Sequence, residues 1–317
     1  MNELTFLLES TYGITPTSIS TAKGGFSTKA AYSVAGTDGT QYFVKVYDKS
    51  LPTTRFFVDR IDMYMPVLDW LSASPALCER VLKPVSTLGG AYKAETDNDV
   101  CAVFLYVDGE SPGVSGMTRK QTVELAETLA LLHDIGGAIP FEAYGLDEDI
   151  SLSFCERLIQ YLSRPDTLNE KLFALVSPHA PTLVNACHEA LRLHDTVRIG
   201  CSPIVLCHGD AHGNNLIQGE RLVLADWEDL RWAPAEADLF IHAWHKHGDV
   251  LLEAYAAARN GYRINKELLY FYTSRRRIED VWVDIQRLIE ESPDETEVAE
   301  IYDLLPQGIA DVQALLR

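Results

Sequence analysis

The sequence predicts an α+β fold in two lobes, a small β-rich N-terminal lobe over residues 1–107 and a larger, mostly helical C-terminal lobe over 108–317. Three observations predict it. The chain has 317 residues, enough to bury two lobes and more than one small module needs. Apolar residues alternate strand-like before residue 107 and recur at helical spacing after it. Between the two patterns, Asp108-Gly109-Glu110-Ser111-Pro112-Gly113 reads as a linker, spanning about 106–116.

Taken in order, residues 1–20 read as an amphipathic helix with Leu4, Leu7 and Leu8 on one face, closed by Gly13 and Pro16. Lys23-Gly24-Gly25-Phe26-Ser27-Thr28 follows, a turn whose glycines let backbone approach phosphate oxygens and whose hydroxyls add donors. It reads equally as a plain turn. Residues 28–36 and 40–47 alternate as half-buried strands joined through Gly36-Thr37-Asp38-Gly39, a hairpin signal. A helix over 54–72 and strands near 80–87 and 100–107 complete the first lobe. Helical periodicity then begins at Thr118 to His133. It continues to the C-terminus, broken by the short apolar segments Ile204-Val205-Leu206, Asn215-Leu216-Ile217 and Leu222-Val223-Leu224.

The formal charge of −19 argues against nucleic acid or an anionic membrane surface as the main partner. It suits a cationic small molecule, and equally an ordinary cytosolic protein. Six cysteines without a C-x-x-C pair point to a reducing compartment. No signal-peptide pattern opens the chain and no run of about eighteen apolar residues spans a bilayer. A soluble, cytoplasmic protein is expected.

The most informative stretch is Cys207-His208-Gly209-Asp210-Ala211-His212-Gly213-Asn214-Asn215, followed by Ala225-Asp226-Trp227-Glu228. Phosphoryl transfer needs a carboxylate that accepts the proton of the attacking hydroxyl, and an Asn and a second Asp that hold Mg²⁺ against nucleotide phosphates. Asp210, Asn215 and Asp226 fit those roles, and hard oxygen donors suit magnesium, not zinc. Lys45, inside the apolar strand Tyr42-Phe43-Val44-Lys45-Val46-Tyr47, shares a face with Phe43 and Tyr47. A buried ammonium calls for an anion, here the α- and β-phosphates of ATP.

A helix carboxylate should orient that lysine, and of Asp59, Asp62 and Asp69 we select Asp62, with Pro66 expected to kink or restart the helix. His208 and Gly209 shape the loop, His212 reads as a loop histidine or a metal ligand, and Glu228 lies at the metal-site edge or faces substrate. Asp238 reads as a cap tying backbone amides. His242, His245 and His247 lack the partners of a zinc site. No Walker A sequence occurs.

The set Lys45, His208-Gly209-Asp210 with Asn215, Ala225-Asp226-Trp227-Glu228 and Asp238-Leu239 resembles the aminoglycoside phosphotransferase family of kinase-like small-molecule kinases, over nearly the whole chain. Within it the sequence looks most like the spectinomycin phosphotransferases, through Ile204 to His208, Asp210, His212, Asn215, Asp226-Trp227 and Arg277-Ile278-Glu279-Asp280. The resemblance implies a bilobal protein-kinase-like fold. It implies Asp210 as catalytic base, Asn215 and Asp226 as Mg²⁺ ligands, Lys45 on the phosphates of ATP, with GTP left open, and adenine against the backbone from Leu105 to Val107. Asp62 would stand where Glu is usual. The substrate wall would be the helix Ser274 to Glu291, with Glu279, Asp280 and Asp284 binding ammonium groups, unless those acids pair with Arg275, Arg276 and Arg277 on a solvated helix.

The expected activity is therefore ATP- and Mg²⁺-dependent phosphorylation of an alcohol group on a small cationic molecule, such as spectinomycin or another aminoglycoside or aminocyclitol antibiotic. Two alternatives stand beside it: a metabolite kinase of the same fold acting on choline, homoserine or a sugar, and a non-catalytic ligand-binding protein. Against the latter stand Lys45, Asp210, Asn215 and Asp226, all present. No Ala-Pro-Glu segment suggests a protein substrate.

Overall fold

Leu4, Leu7 and Leu8 open the chain as a short helix, α1 (Glu3–Leu7), which widens into one π turn through Tyr12 and ends at left-handed Gly13, φ 69°. The helix expected to reach residue 20 stops there, because Pro16 begins strand β1 (Pro16–Ala22). The computed structural model describes residues 3–24, 28–113, 116–164, 169–197, 202–290, 293 and 295–316. Strands β2 (Ala30–Gly36) and β3 (Gln41–Asp48) form the expected hairpin. Strands β4 (Pro84–Val85), β5 (Lys93–Glu95) and β6 (Asp99–Leu105) complete an antiparallel sheet ordered β1-β2-β3-β6-β4, with β5 also on β6.

One face of this sheet is the apolar side of the alternation. Val34, Tyr42, Val44, Cys101 and Val103 pack with Leu8, Tyr12 and Ile14 in a single buried cluster, and the Tyr12 hydroxyl donates to the Cys101 carbonyl at 2.9 Å. The opposite face carries Phe43, Lys45 and Tyr47. Lys45 is flanked across the ladder by Ala31 and Ala102, both buried, so small neighbours leave room for its stem. Helix α2 (Pro52–Ala73) sets Ile61, Tyr64, Met65, Leu68 and Leu71 into the interior. It runs without interruption through Pro66, although Pro66 removes one helical hydrogen bond.

The chain divides into two compact units, Met1–Glu148 with Ile204–Arg263, and Asp149–Pro203 with Ile264–Arg317. The lobe boundary expected at 107/108 falls inside the first. Beyond the linker, that unit contains helix α3 (Arg119–Ile135), started by a capping box between Thr118 and Gln121. It also holds two short antiparallel pairs, β7 (Ile204–Cys207) with β10 (Arg231–Pro234), and β8 (Leu216–Gln218) with β9 (Leu222–Leu224). Helices α7 (Glu236–Ala243) and α8 (Gly248–Ala258) close it.

The second unit is helical: α4 (Ser153–Leu162), α5 (Glu170–Val176), α6 (Ala180–Thr196), α9 (Lys266–Glu290) and α10 (Glu295–Leu315). Its core is built from Leu158, Leu183, Cys187, Phe271, Ile278, Trp282 and Ile309. Among the described residues no helix is long and apolar enough to cross a membrane.

Candidate active site

The loop after β7 is held by a carboxylate that never reaches solvent. Asp238, in the first turn of α7 and fully buried, accepts the His208 N–H at 2.8 Å and the Gly209 N–H at 2.6 Å. His133 Nε2 meets the same carboxylate at 3.0 Å, and His133 Nδ1 lies 2.7 Å from the Tyr255 hydroxyl. Burial alone would push the Asp238 carboxyl up; the His133 hydrogen bond, the electrostatic pull of the His133 and His208 rings and the Gly209 amide outweigh it and hold it below the usual range. This is the amide-tying role expected of Asp238, extended by the histidine.

Gly209 has φ 86°, and a Cβ there would sit 2.3 Å from the Asp229 carbonyl oxygen, so only glycine fits. Arg231 Nη2 donates to the Gly209 carbonyl at 2.9 Å. His208 ties two segments together: its Nε2 donates to the Ala225 carbonyl at 2.8 Å, and its Nδ1 accepts the Asp210 N–H at 3.3 Å.

These constraints aim Asp210 at a partner five residues away. Asn215 Nδ2 donates to Asp210 Oδ2 and to the Asp210 carbonyl, both at 2.9 Å. His212 Nε2 lies 3.4 Å from the same carboxylate oxygen, while its Nδ1 accepts the Asn214 N–H at 3.2 Å, so the neutral ring carries its proton toward Asp210. The Ala225 N–H donates to the Asn215 carbonyl at 2.8 Å, which brings Asp226 alongside. Asp226 itself is left-handed, φ 59° and ψ 68°, a conformation that non-glycine residues rarely adopt. The side-chain amide oxygen of Asn215 and the carboxylate of Asp226 are hard oxygen donors, the chemistry that suits magnesium.

Lys45 is 3 % exposed and bonded to Asp226 and Glu228, the latter at 2.6 Å. Burial by itself lowers the lysine pKa, but the Glu228 and Asp226 carboxylates raise it, so the ammonium stays charged. Tyr47 donates to the same Glu228 oxygen at 2.7 Å. Burial, reinforced by the Glu228 charge, pushes the Tyr47 and Tyr64 hydroxyls well up.

The expected Lys45 partner is therefore corrected. Asp62 is exposed and pairs with Lys93 at 2.8 Å, because the α2 face turned toward the sheet carries Tyr64 and the acids lie off it. Glu228, expected at the metal-site edge or facing substrate, is buried against Tyr47 and Lys45, the lysine it shares with Asp226. Of the nucleotide candidates, Gly25 and Ser27 lie outside the described residues. Gly24 is exposed, and a Cβ on it would meet Thr28 Cβ at 3.2 Å. Leu105 commits its N–H to the Lys83 carbonyl at 2.8 Å, and Tyr106 donates to the Gln41 carbonyl at 3.0 Å; Val107, two residues past the end of β6, is half-buried.

Residues 18–269 match the model of the phosphotransferase enzyme family, APH. The chain belongs to that family. No curated protein is detectably similar in sequence. Among solved structures, the phosphotransferase is similar in fold to a spectinomycin phosphotransferase in complex with ADP and spectinomycin, at 18 % identity and TM-score 0.76 over 99 % of this chain and 97 % of that one. An amicoumacin kinase bound to AMP-PNP and Ca²⁺ aligns at 12 % identity and TM-score 0.67, over 99 % and 94 % of the two chains. A macrolide 2'-phosphotransferase from Brachybacterium faecium aligns at 18 % and 0.62, over 98 % of each.

The remaining candidates of the phosphotransferase lie in its second unit, on α9. Asp280 pairs with Arg276 at 2.7 Å and Glu279 lies 4.0 Å from Arg275, the pairing foreseen for a solvated helix. Asp284 differs: burial and the like charge of Asp280 push its carboxyl up to about 6. Of the histidines, buried His242 donates Nε2 to the Ala211 carbonyl at 2.8 Å, and burial pushes it down to about 4, so it is neutral. Sequence reasoning missed Tyr47 as part of the site, though its place on the Lys45 face of β3 was the available signal.

Proposed function

We propose that this phosphotransferase is an ATP- and Mg²⁺-dependent cytosolic kinase that transfers the γ-phosphoryl group to an alcohol group of a small cationic molecule of the aminoglycoside or aminocyclitol type, such as spectinomycin. One observation carries the reading: within one unit Asp210 is bonded to Asn215, Asn215 to the backbone of Ala225 just before Asp226, and Asp226 to Lys45. Asp210 accepts the proton of the acceptor hydroxyl as its oxygen attacks phosphorus, and Asn215 holds the carboxylate in place. Asn215 and Asp226 would hold Mg²⁺, which when bound neutralises phosphate charge. Lys45 offers a permanently charged ammonium to the phosphates, and Gly24, Gly25, Ser27 and the backbone from Leu105 to Val107 receive the rest of the nucleotide. The fold relatives crystallised with ADP or AMP-PNP, and in one case spectinomycin, support the nucleotide and substrate class.

A cationic acceptor is in keeping with the −19 formal charge. The test is ADP release from Mg²⁺ and ATP in the presence of spectinomycin, streptomycin, kanamycin, choline, homoserine or no acceptor, with Asp210→Ala as control. Release stimulated by an aminocyclitol and absent from the control supports the reading. Stimulation by choline or homoserine transfers the protein to the metabolite kinases, and no nucleotide binding at all refutes both.

A further inference from the structure

We propose that Glu228 is the residue that positions Lys45 for the nucleotide, replacing a helix carboxylate in that role; the inference rests on the nucleotide-binding reading above. Every acid that α2 offers is engaged elsewhere. Asp59 lies 3.8 Å from Arg55, Asp62 is 2.8 Å from Lys93, and Asp69 accepts the Tyr92 hydroxyl at 2.9 Å. What α2 presents to Lys45 is Tyr64, fully buried, whose phenol feels the charges of Lys45 and Glu228. Glu228 sits where a positioning group must be: one oxygen receives Lys45 at 2.6 Å and Tyr47 at 2.7 Å. Its backbone is held as well, since Arg60 Nε donates to the Glu228 carbonyl at 3.0 Å and Arg60 Nη2 to the Leu230 carbonyl at 2.6 Å.

The two carboxylates on Lys45 are not equivalent. The Asp226 side chain is 30 % exposed and that of Glu228 only 6 %. Asp226 is therefore the partner that can turn to a metal, while Glu228 keeps the ammonium in place. A single tripeptide, Asp226-Trp227-Glu228, thus supplies both a metal donor and the lysine's anchor, and Trp227 fixes its pitch by donating Nε1–H to the Leu224 carbonyl at 3.0 Å.

The experiment is a double-mutant cycle on the full chain, reading the affinity for AMP-PNP at saturating Mg²⁺ and, separately, the Mg²⁺ concentration for half-maximal binding. Lys45→Met and Glu228→Gln should each weaken AMP-PNP roughly tenfold or more, and the double variant should be no weaker than either, because contacting partners couple on that scale. The Mg²⁺ midpoint should not move. Thermal melts monitor folding. Should Glu228→Gln not fold, Tyr47→Phe removes only the second bond on the anchor. It should weaken AMP-PNP about threefold in the wild type and not at all beside Lys45→Met. Additive losses, or unchanged affinity in Glu228→Gln or in Tyr47→Phe, overturn the proposal; a raised Mg²⁺ midpoint makes Glu228 a metal ligand instead. A wild-type protein that does not bind AMP-PNP refutes the nucleotide reading beneath it, a result distinct from wild-type binding without coupling.

Discussion

Asp238→Asn isolates the carboxylate on which the loop at 208–210 is built. Three donors converge on it, the His208 and Gly209 amides and His133 Nε2, at 2.8, 2.6 and 3.0 Å. An asparagine keeps one acceptor oxygen, so at least one donor faces an NH₂ group in a site sealed from solvent. Loss of a charge-assisted hydrogen bond together with one orphaned buried donor costs about 3–5 kcal/mol. At about 2–4 °C per kcal/mol for chains of this general size, the melting temperature should fall on the order of 10 °C. Urea and thermal unfolding followed by circular dichroism would measure it. The pH dependence adds a sharper criterion. The folded Asp238 pKa is depressed, so the stability it contributes is complete above the unfolded value of about 3.9 and is lost as pH falls through the lower folded value. The gap between wild type and variant should hold steady down to about pH 4 and close below it. A gap under about 1 kcal/mol at pH 7, or one that widens in acid, would refute this account of the loop.

Three further outcomes are expected. Gly209→Ala should destabilise the fold by ~3 kcal/mol or more in chemical unfolding, since its Cβ meets a backbone oxygen and its φ is positive. His242, pushed down to about 4 from about 6.5, binds its proton in the unfolded chain first, so stability should drop as pH falls across that window, and His242→Gln should flatten the slope. Asp284, pushed up to about 6, disfavours folding once ionised. Asp284→Asn should therefore melt higher than wild type at pH 7 and equal to it below about pH 4.

What was legible in the sequence followed the range of the interaction. The β2–β3 hairpin rests on alternation and an Asp-Gly turn, and Asp210 with Asn215 on a spacing of five, all local features. The Lys45 anchor is 183 residues away in sequence, beyond any periodicity, and the acids of α2 were plausible only because spacing does not reveal which helix face meets the sheet. Strand β1 was overlooked because Ile19 is its one large apolar residue among threonines and serines, too sparse an alternation to outweigh the leucines ahead of it. The pairing of Glu279 and Asp280 with α9 arginines was readable from their i, i+4 spacing, whereas the burial of Asp284 depended on tertiary packing.

The left-handed backbone of Asp226 has an evolutionary reading. Glycine or asparagine would adopt φ 59° more easily, so this position keeps its aspartate against the preference of its own backbone. Selection for folding alone should drift residue 226 toward glycine. Retention of the carboxylate across a library screened only for a working protein, and its loss from one screened only for solubility, would make the conformation itself a record of what the chain has been kept to do.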